Sequence, residues 1–282
     1  MDIGIGLPAA VPGVRGADVT EWARRAEALG FSSLGVLDRL VYPNLEPLTV
    51  LAAAAAVTSR IRLATSVLVA PYRGSSALLA KQVAALTELS GGRVVLGLGA
   101  GGRRDDFDVA GARYEQRGAR LTRVIDDLRR AWTDGSGHDA PAGPAASCPI
   151  LLGGRADAAI ERVARQADGW IAAGGDAAIF QQFAEKVRQA WQRHGRDGDP
   201  RLVSIGHFAL GAGARGAAQR YLTDYYSFLG PAAQFIAAGA LTDEDSLRAA
   251  VAGFAKAGCA ELILFPCTTD PQQVDLLAHA LR

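Results

Sequence analysis

Along the chain, short apolar runs alternate with longer stretches whose apolar positions recur at helical spacing. The short runs fall at Ile3–Leu7, Ser33–Leu37, Ile61–Leu68, Val94–Leu98, Ile150–Leu152, Gly169–Ala172, Leu202–Leu210 and Glu261–Phe265. Runs of this kind suit strands covered on both faces, the condition of a parallel sheet. Helical spacing marks Val19–Leu29, with Asp18 as its expected cap, then Leu48–Thr58, Ala77–Leu89 and Tyr114–Trp132. It continues at Ala156–Gln166, Ala177–His194, Ala217–Phe228, Asp243–Ala257 and Pro271–Leu281. About eight strands, each followed by helix, is the number that closes a barrel. The pattern predicts an α/β protein: one (β/α)8 TIM barrel over residues 1–282, with loop and helical insertions at the C-terminal face.

Two stretches interrupt the alternation. Asp134–Pro149 is rich in Gly, Pro, Ser and Ala and reads as an excursion within the barrel, because neither flank holds enough strands to close alone. Gly211–Ala257 holds more than one helix between the seventh and eighth strands and is placed to cover the mouth of a site.

Composition narrows the function. At 282 residues, 49% hydrophobic and 21% charged, the chain can bury a large core. Its 30 basic residues balance 29 acidic ones without a basic run, which argues against nucleic acid as a partner. The N-terminus reads as a strand rather than a secretory signal, and Ala52–Val57 is too short to span a bilayer. A cytoplasmic protein with no membrane partner is expected. Cys148, Cys259 and Cys267 are odd in number and widely spaced, so they are expected to be structural.

In such a barrel, ligands sit where strands end, and several strand ends carry chemistry. The segment Arg93–Phe107 runs from a strand into Gly97, Gly99, Ala100, Gly101 and Gly102, then Arg103 and Arg104. Glycines let backbone amides approach an anion, and a guanidinium can hold it bidentately; a tight turn with solvated charges is the plainer alternative. Rossmann spacing and a Walker lysine are both missing. At Gly153, Gly154 and Arg155 a strand turns directly into a helix, a phosphate cradle or simply a helix start that needs room. Asp38 and Arg39 end the second strand, either as functional groups or as a barrel-end ion pair. His207 is the one histidine of four on a strand, a candidate acid or a packed structural ring, whereas His138, His194 and His279 fall in loops or helix ends. Tyr225 and Tyr226 either line a substrate pocket or pack within a helix. No HExxH motif, paired carboxylate or histidine cluster points to a metal.

The segment Arg60–Gly99 resembles the luciferase-like superfamily of flavin- and deazaflavin-dependent oxidoreductases. It carries Thr65-Ser66-Val67, an arginine loop, Ala80 and Gln82 on a helix, the turn Ser90–Arg93 and the strand Val94–Gly99. The likeness extends to Asp168–Ile171 and Gly258–Ala278 and covers nearly the whole chain. It implies an organic cofactor: coenzyme F420 in the branch the chain resembles more, or FMN in the two-component monooxygenases. In deazaflavin-dependent members a non-prolyl cis peptide bulges the third strand against the ring, and by similarity it lies at Ser66-Val67. Asp38, Arg39 and His207 are the implied groups near the reacting atom, but many relatives have histidine where Arg39 stands, and arginine is a poor acid. The implied cofactor-tail contacts are Gly99, Ala100, Gly101, Gly102, Arg103, Gly153, Gly154 and Arg155. Gly111 and Arg117 also match the family, while Thr122 replaces its usual acidic residue. The implied reaction is hydride transfer to a C=C or C=N bond of a small molecule. The alternatives are oxygenation with reduced FMN supplied by a separate reductase, and a non-catalytic flavin-binding barrel. A homodimer is the implied assembly.

Overall fold

The computed structural model describes residues 1–133 and 148–282. His138 and most of Asp134–Pro149 lie outside the described residues. The strands are β1 Asp2–Gly6, β2 Ser33–Val36, β3 Arg62–Thr65, β4 Leu68–Val69, β5 Val94–Gly99, β6 Ile150–Gly153, β7 Gly169–Ala172, β8 Arg201–Phe208 and β9 Glu261–Pro266. All pairings are parallel, and β3 bonds to both β2 and β5, which closes the ring. β3 and β4 are two halves of one stave, so the barrel has eight.

The strand sequences explain the two layers. Ile5, Leu34, Leu63, Leu96, Leu98, Ile150, Trp170 and Leu262 face the surrounding helices. Leu37, Ala64, Leu151, Ile171, Val203, Ile205, Ile263 and Phe265 fill the interior. Gly6 and Gly35 are glycines because any Cβ there would meet the Phe265 ring. With both faces buried, the strands lack the polar alternation of an open sheet.

The third stave departs from regular register. Ala64 pairs with Val95 and Leu68 with Leu98, so four steps on this stave span three on β5. One residue is extra, and a bulge of this type redirects the side chains beyond it. The Ser66-Val67 peptide within it is cis, as the family resemblance implied. Val67 consequently joins the interior cluster while Leu68 joins the outer one.

Helix boundaries differ from expectation in instructive places. The first helix is Gly16–Ala28, and Arg15, not Asp18, is its N-cap. Asp18 lies one turn in and accepts the Arg15 backbone N–H at 3.0 Å, closing the turn from the other side. Two short helices, Arg104–Val109 and Ala232–Ala238, have no counterpart among the sequence-predicted elements. The long connection after β8 contains Ala214–Tyr225, a turn at Ser227–Leu229, Ala232–Ala238 and Glu244–Lys256. Among the described residues no helix is long and apolar enough to cross a membrane.

Candidate active site

The C-terminal strand ends converge on a cavity of about 430 Å³. Its wall includes Asp38, Arg39, Ser66, Val67, Gly99, Ala100, Gly101, Gly102, Arg103, Gly153, Gly154 and Arg155. Asp106, Phe107, Arg117, Tyr225, Tyr226 and Phe228 also line it. Sequence reasoning missed Asp106, Phe107 and Phe228; an apolar Phe107 amid acidic residues was the available signal that this loop turns back into the core.

On one side, the glycines are shaped by Val67. A Cβ on Gly97 would strike the Thr65 carbonyl, and one on Gly99 would strike the Val67 side chain. A Cβ on Gly153 would just touch Val67 at 3.4 Å. These residues therefore make room for the bulged stave, a role distinct from an anion cradle. Beyond them, Gly154 adopts φ +125° and the helix Asp157–Gln166 begins. Arg155 donates to the Gly174 carbonyl and lies 5.4 Å from the Phe183 ring centroid, while its buried Nε has no partner. Burial lowers its pKa, and no carboxylate offsets this. Arg117 lies over the Tyr114 ring at 3.9 Å and donates to the Tyr114 carbonyl at 3.1 Å, likewise without a carboxylate in its bonding. Arg155, at a strand-to-helix turn with no acid partner, suits an anionic group, and Arg117, at the start of the helix Arg117–Thr133, lines the same cavity.

On the other side, Asp38 and Arg39 do not pair with each other. Asp38 accepts the Val69 N–H at 2.8 Å and an Arg73 N–H at 3.0 Å, which fixes the stave just past the bulge. Arg39 Nε donates to Asp106 at 2.9 Å, with the two side chains 6% and 4% exposed. Asp106 also accepts the Leu40 and Val41 N–H groups at 3.0 and 2.8 Å. Arg103 is held by Asp105, and that bond raises its pKa and lowers that of Asp105. Tyr225 and Phe228 close over this group: the Arg39 guanidinium lies 5.7 and 6.0 Å from their ring centroids, and Arg103 lies 4.4 Å from Phe228.

His207 is outside the cavity wall. Its ring packs against Tyr226 and Phe265, Nε2 has no partner, and burial lowers its pKa to about 4. It is a neutral packed imidazole near pH 7. Cys148, Cys259 and Cys267 are buried free thiols whose pKa burial pushes up to about 12. Among the described residues no group of three or more His, Cys, Asp or Glu could hold a metal. Thr122 is half-buried and accepts from Arg162 at 2.9 Å, tying two helices together.

The family model for luciferase-like monooxygenase matches residues 1–274, and the chain belongs to that family. An uncharacterized protein of Mycobacterium tuberculosis is 33% identical over 207 residues, 62% of this chain and 71% of the relative. An F420-dependent glucose-6-phosphate dehydrogenase of Kribbella flavida is 32% identical over 160 residues, 53% of this chain and 48% of that one. Among solved structures, an F420-dependent secondary alcohol dehydrogenase in complex with an F420-acetone adduct aligns with TM-score 0.85 at 17% identity, covering 100% and 99% of the two chains. The monooxygenase RslO1 of Streptomyces bottropensis aligns with TM-score 0.75 at 20% identity, covering 100% and 98%. The fold is thus that of flavin- and F420-dependent oxidoreductases.

Proposed function

We propose that the chain is a coenzyme F420-dependent oxidoreductase acting as a reductase on a small organic substrate. One observation carries the reading: a single cavity is lined by Val67 from the bulged stave, by Arg155, whose guanidinium has no carboxylate partner, and by Arg117, which makes no ion pair with a carboxylate among the described residues. A flat apolar ring with an anionic tail needs those two environments in one place. Ser66 and Val67 would lie against the ring, Ala100, Gly101, Gly102, Gly154 and Arg155 would hold the tail, and Gly99 and Gly153 leave Val67 its room, while Arg103 is held by Asp105. When bound, the deazaflavin supplies a hydride from its C5 for a C=C or C=N bond.

The residues around that position bind and orient. Asp38 is a positioning residue, since both its oxygens already accept hydrogen bonds. His207 contributes a neutral wall behind Tyr226. The accompanying proton is assigned to water. One domain spanning residues 1–282, a homodimer, a cytoplasmic site and a separate enzyme that regenerates reduced cofactor complete the proposal.

The test is fluorescence titration of the purified protein with oxidised and reduced F420 and, in parallel, both redox states of FMN. Micromolar or tighter binding with preference for the deazaflavin is expected. Preference for reduced FMN, together with oxygen consumption, replaces the reading by oxygenation. Binding of neither overturns it, and binding without turnover across unsaturated and imine compounds indicates a flavin-binding barrel.

A further inference from the structure

The Arg39 guanidinium has a free edge. Its Nε is committed to Asp106, but Nη1 and Nη2 are buried and have no hydrogen-bond partner. Asp105, the next acid, is 3.8 Å from Nη2 and is already gripped by Arg103. The charge of Asp106 is shared among Arg39 and two backbone N–H groups. What covers the free edge is aromatic: Tyr42, Tyr225 and Phe228 lie with ring centroids 5.6, 5.7 and 6.0 Å from the guanidinium carbon. Rings attract a cation but accept its N–H groups poorly, so the two nitrogens stay short of acceptors.

We infer that Arg39 is a specificity-determining residue that takes the carboxylate of an organic monoanionic substrate on Nη1 and Nη2, with Phe228 as the ring the carboxylate displaces. The inference rests on the oxidoreductase reading above. Two parallel N–H donors on one edge match the two oxygens of a carboxylate, whereas a lone carbonyl would satisfy one of them. A dianion is disfavoured because Asp105 and Asp106 stand beside the same guanidinium. The cofactor tail is assigned to Arg155, which has no carboxylate partner, whereas Asp105 and Asp106 beside Arg39 disfavour a phosphate there. Phe228 is the movable cover: it is 43% exposed and lies between Arg39 and Arg103 on the short Ser227–Leu229 turn, which ends at Gly230 with φ 58°.

The test is calorimetric titration of the cofactor-loaded protein and of the protein alone with benzoate and with neutral, nearly isosteric benzamide. Benzoate is expected to bind at least about tenfold tighter. Arg39→Met is expected to erase that preference, and Phe228→Ala to strengthen benzoate several-fold without changing benzamide. Arg39→Lys keeps the charge and the Asp106 contact, so it guards against misfolding of the Met variant; it should retain only part of the preference. Equal affinities, no benzoate binding by the parent protein, or a preference that survives both Arg39 variants overturns the inference. Deazaflavin titration of the same proteins separates the two readings. Carboxylate preference without deazaflavin binding overturns the cofactor assignment alone, and deazaflavin binding without carboxylate preference overturns the Arg39 assignment alone.

Discussion

Arg93 and Arg39, at the two ends of the barrel, use their guanidinia in opposite ways. At the N-terminal end, Arg93 spends every N–H: Nε on the Ser90 carbonyl, Nη1 on Thr58 and Ile61, and Nη2 on Ala55 and Thr58. Beside it, Arg201 and Arg62 bracket Glu261 at 2.8 and 3.2 Å, with the buried Arg62 Nε left unpartnered, and Glu27 accepts the N–H groups of Ser59, Arg60 and Ile61. At the C-terminal end, Arg39 and Arg155 keep buried nitrogens without acceptors. A saturated guanidinium holds loops in place; an unsaturated one retains affinity for something else. The contrast matches the division of labour in this architecture, with stability concentrated at one face and ligands at the other.

The contrast is broken most severely at Arg93. Arg93→Met should cost about 3–5 kcal/mol in urea unfolding, because several buried carbonyls lose their donor together. A loss below about 1 kcal/mol would mean that the N-terminal clamp is ornamental. Next comes the cavity side of the bulge. Gly99→Ala should cost about 1–3 kcal/mol through the clash with Val67, and adding Val67→Ala should recover much of it. Additive losses in the double variant would separate the two residues.

Smaller effects sharpen the picture. Burial raises the Glu27 pKa, but the backbone donors prevail and hold it at about 2, below its ordinary 4.5. Its folded pKa is depressed, so its contribution is present above about pH 4.5 and fades as pH falls towards 2. Glu27→Gln should therefore cost about 1–2 kcal/mol at pH 7, a gap that closes in unfolding curves taken near pH 2–3. Smallest for stability is Arg155→Met, within about 0.5 kcal/mol, since it removes a desolvated charge without a carboxylate partner. In the same variant deazaflavin affinity should fall about tenfold or more, which equilibrium titration reads directly.

The strands were legible because a fully buried stave has to be apolar on both faces, and Gly169–Ala172 matched to the residue. The helix Arg104–Val109 was not, since RDDFDV has too few apolar positions to show a period; it forms around buried Phe107 and the Asp106–Arg39 contact, both long-range. Gly97 and Gly99 could be recognised as close-approach positions, but not what approaches: the neighbours are the Thr65 carbonyl and the Val67 side chain, both on another stave. Asp38 and Arg39 were visible as a pair, and only tertiary structure shows that each answers to a different partner. His207 looked like a candidate acid from its place on a strand; the aromatic burial that keeps it neutral comes from Tyr226 and Phe265, distant in sequence.

The extra residue in the third stave has a consequence for how this chain can change. Before it, even-numbered Ala64 faces inward; after it, odd-numbered Val67 does, and even-numbered Leu68 faces out. The stave behaves like a text with one letter inserted, legible only in the shifted frame. A point substitution there changes one word, such as the material presented to the cavity. Loss of a single residue would exchange inside for outside along the remainder of the stave. Variation at this place is therefore constrained in chain length more tightly than in chemistry.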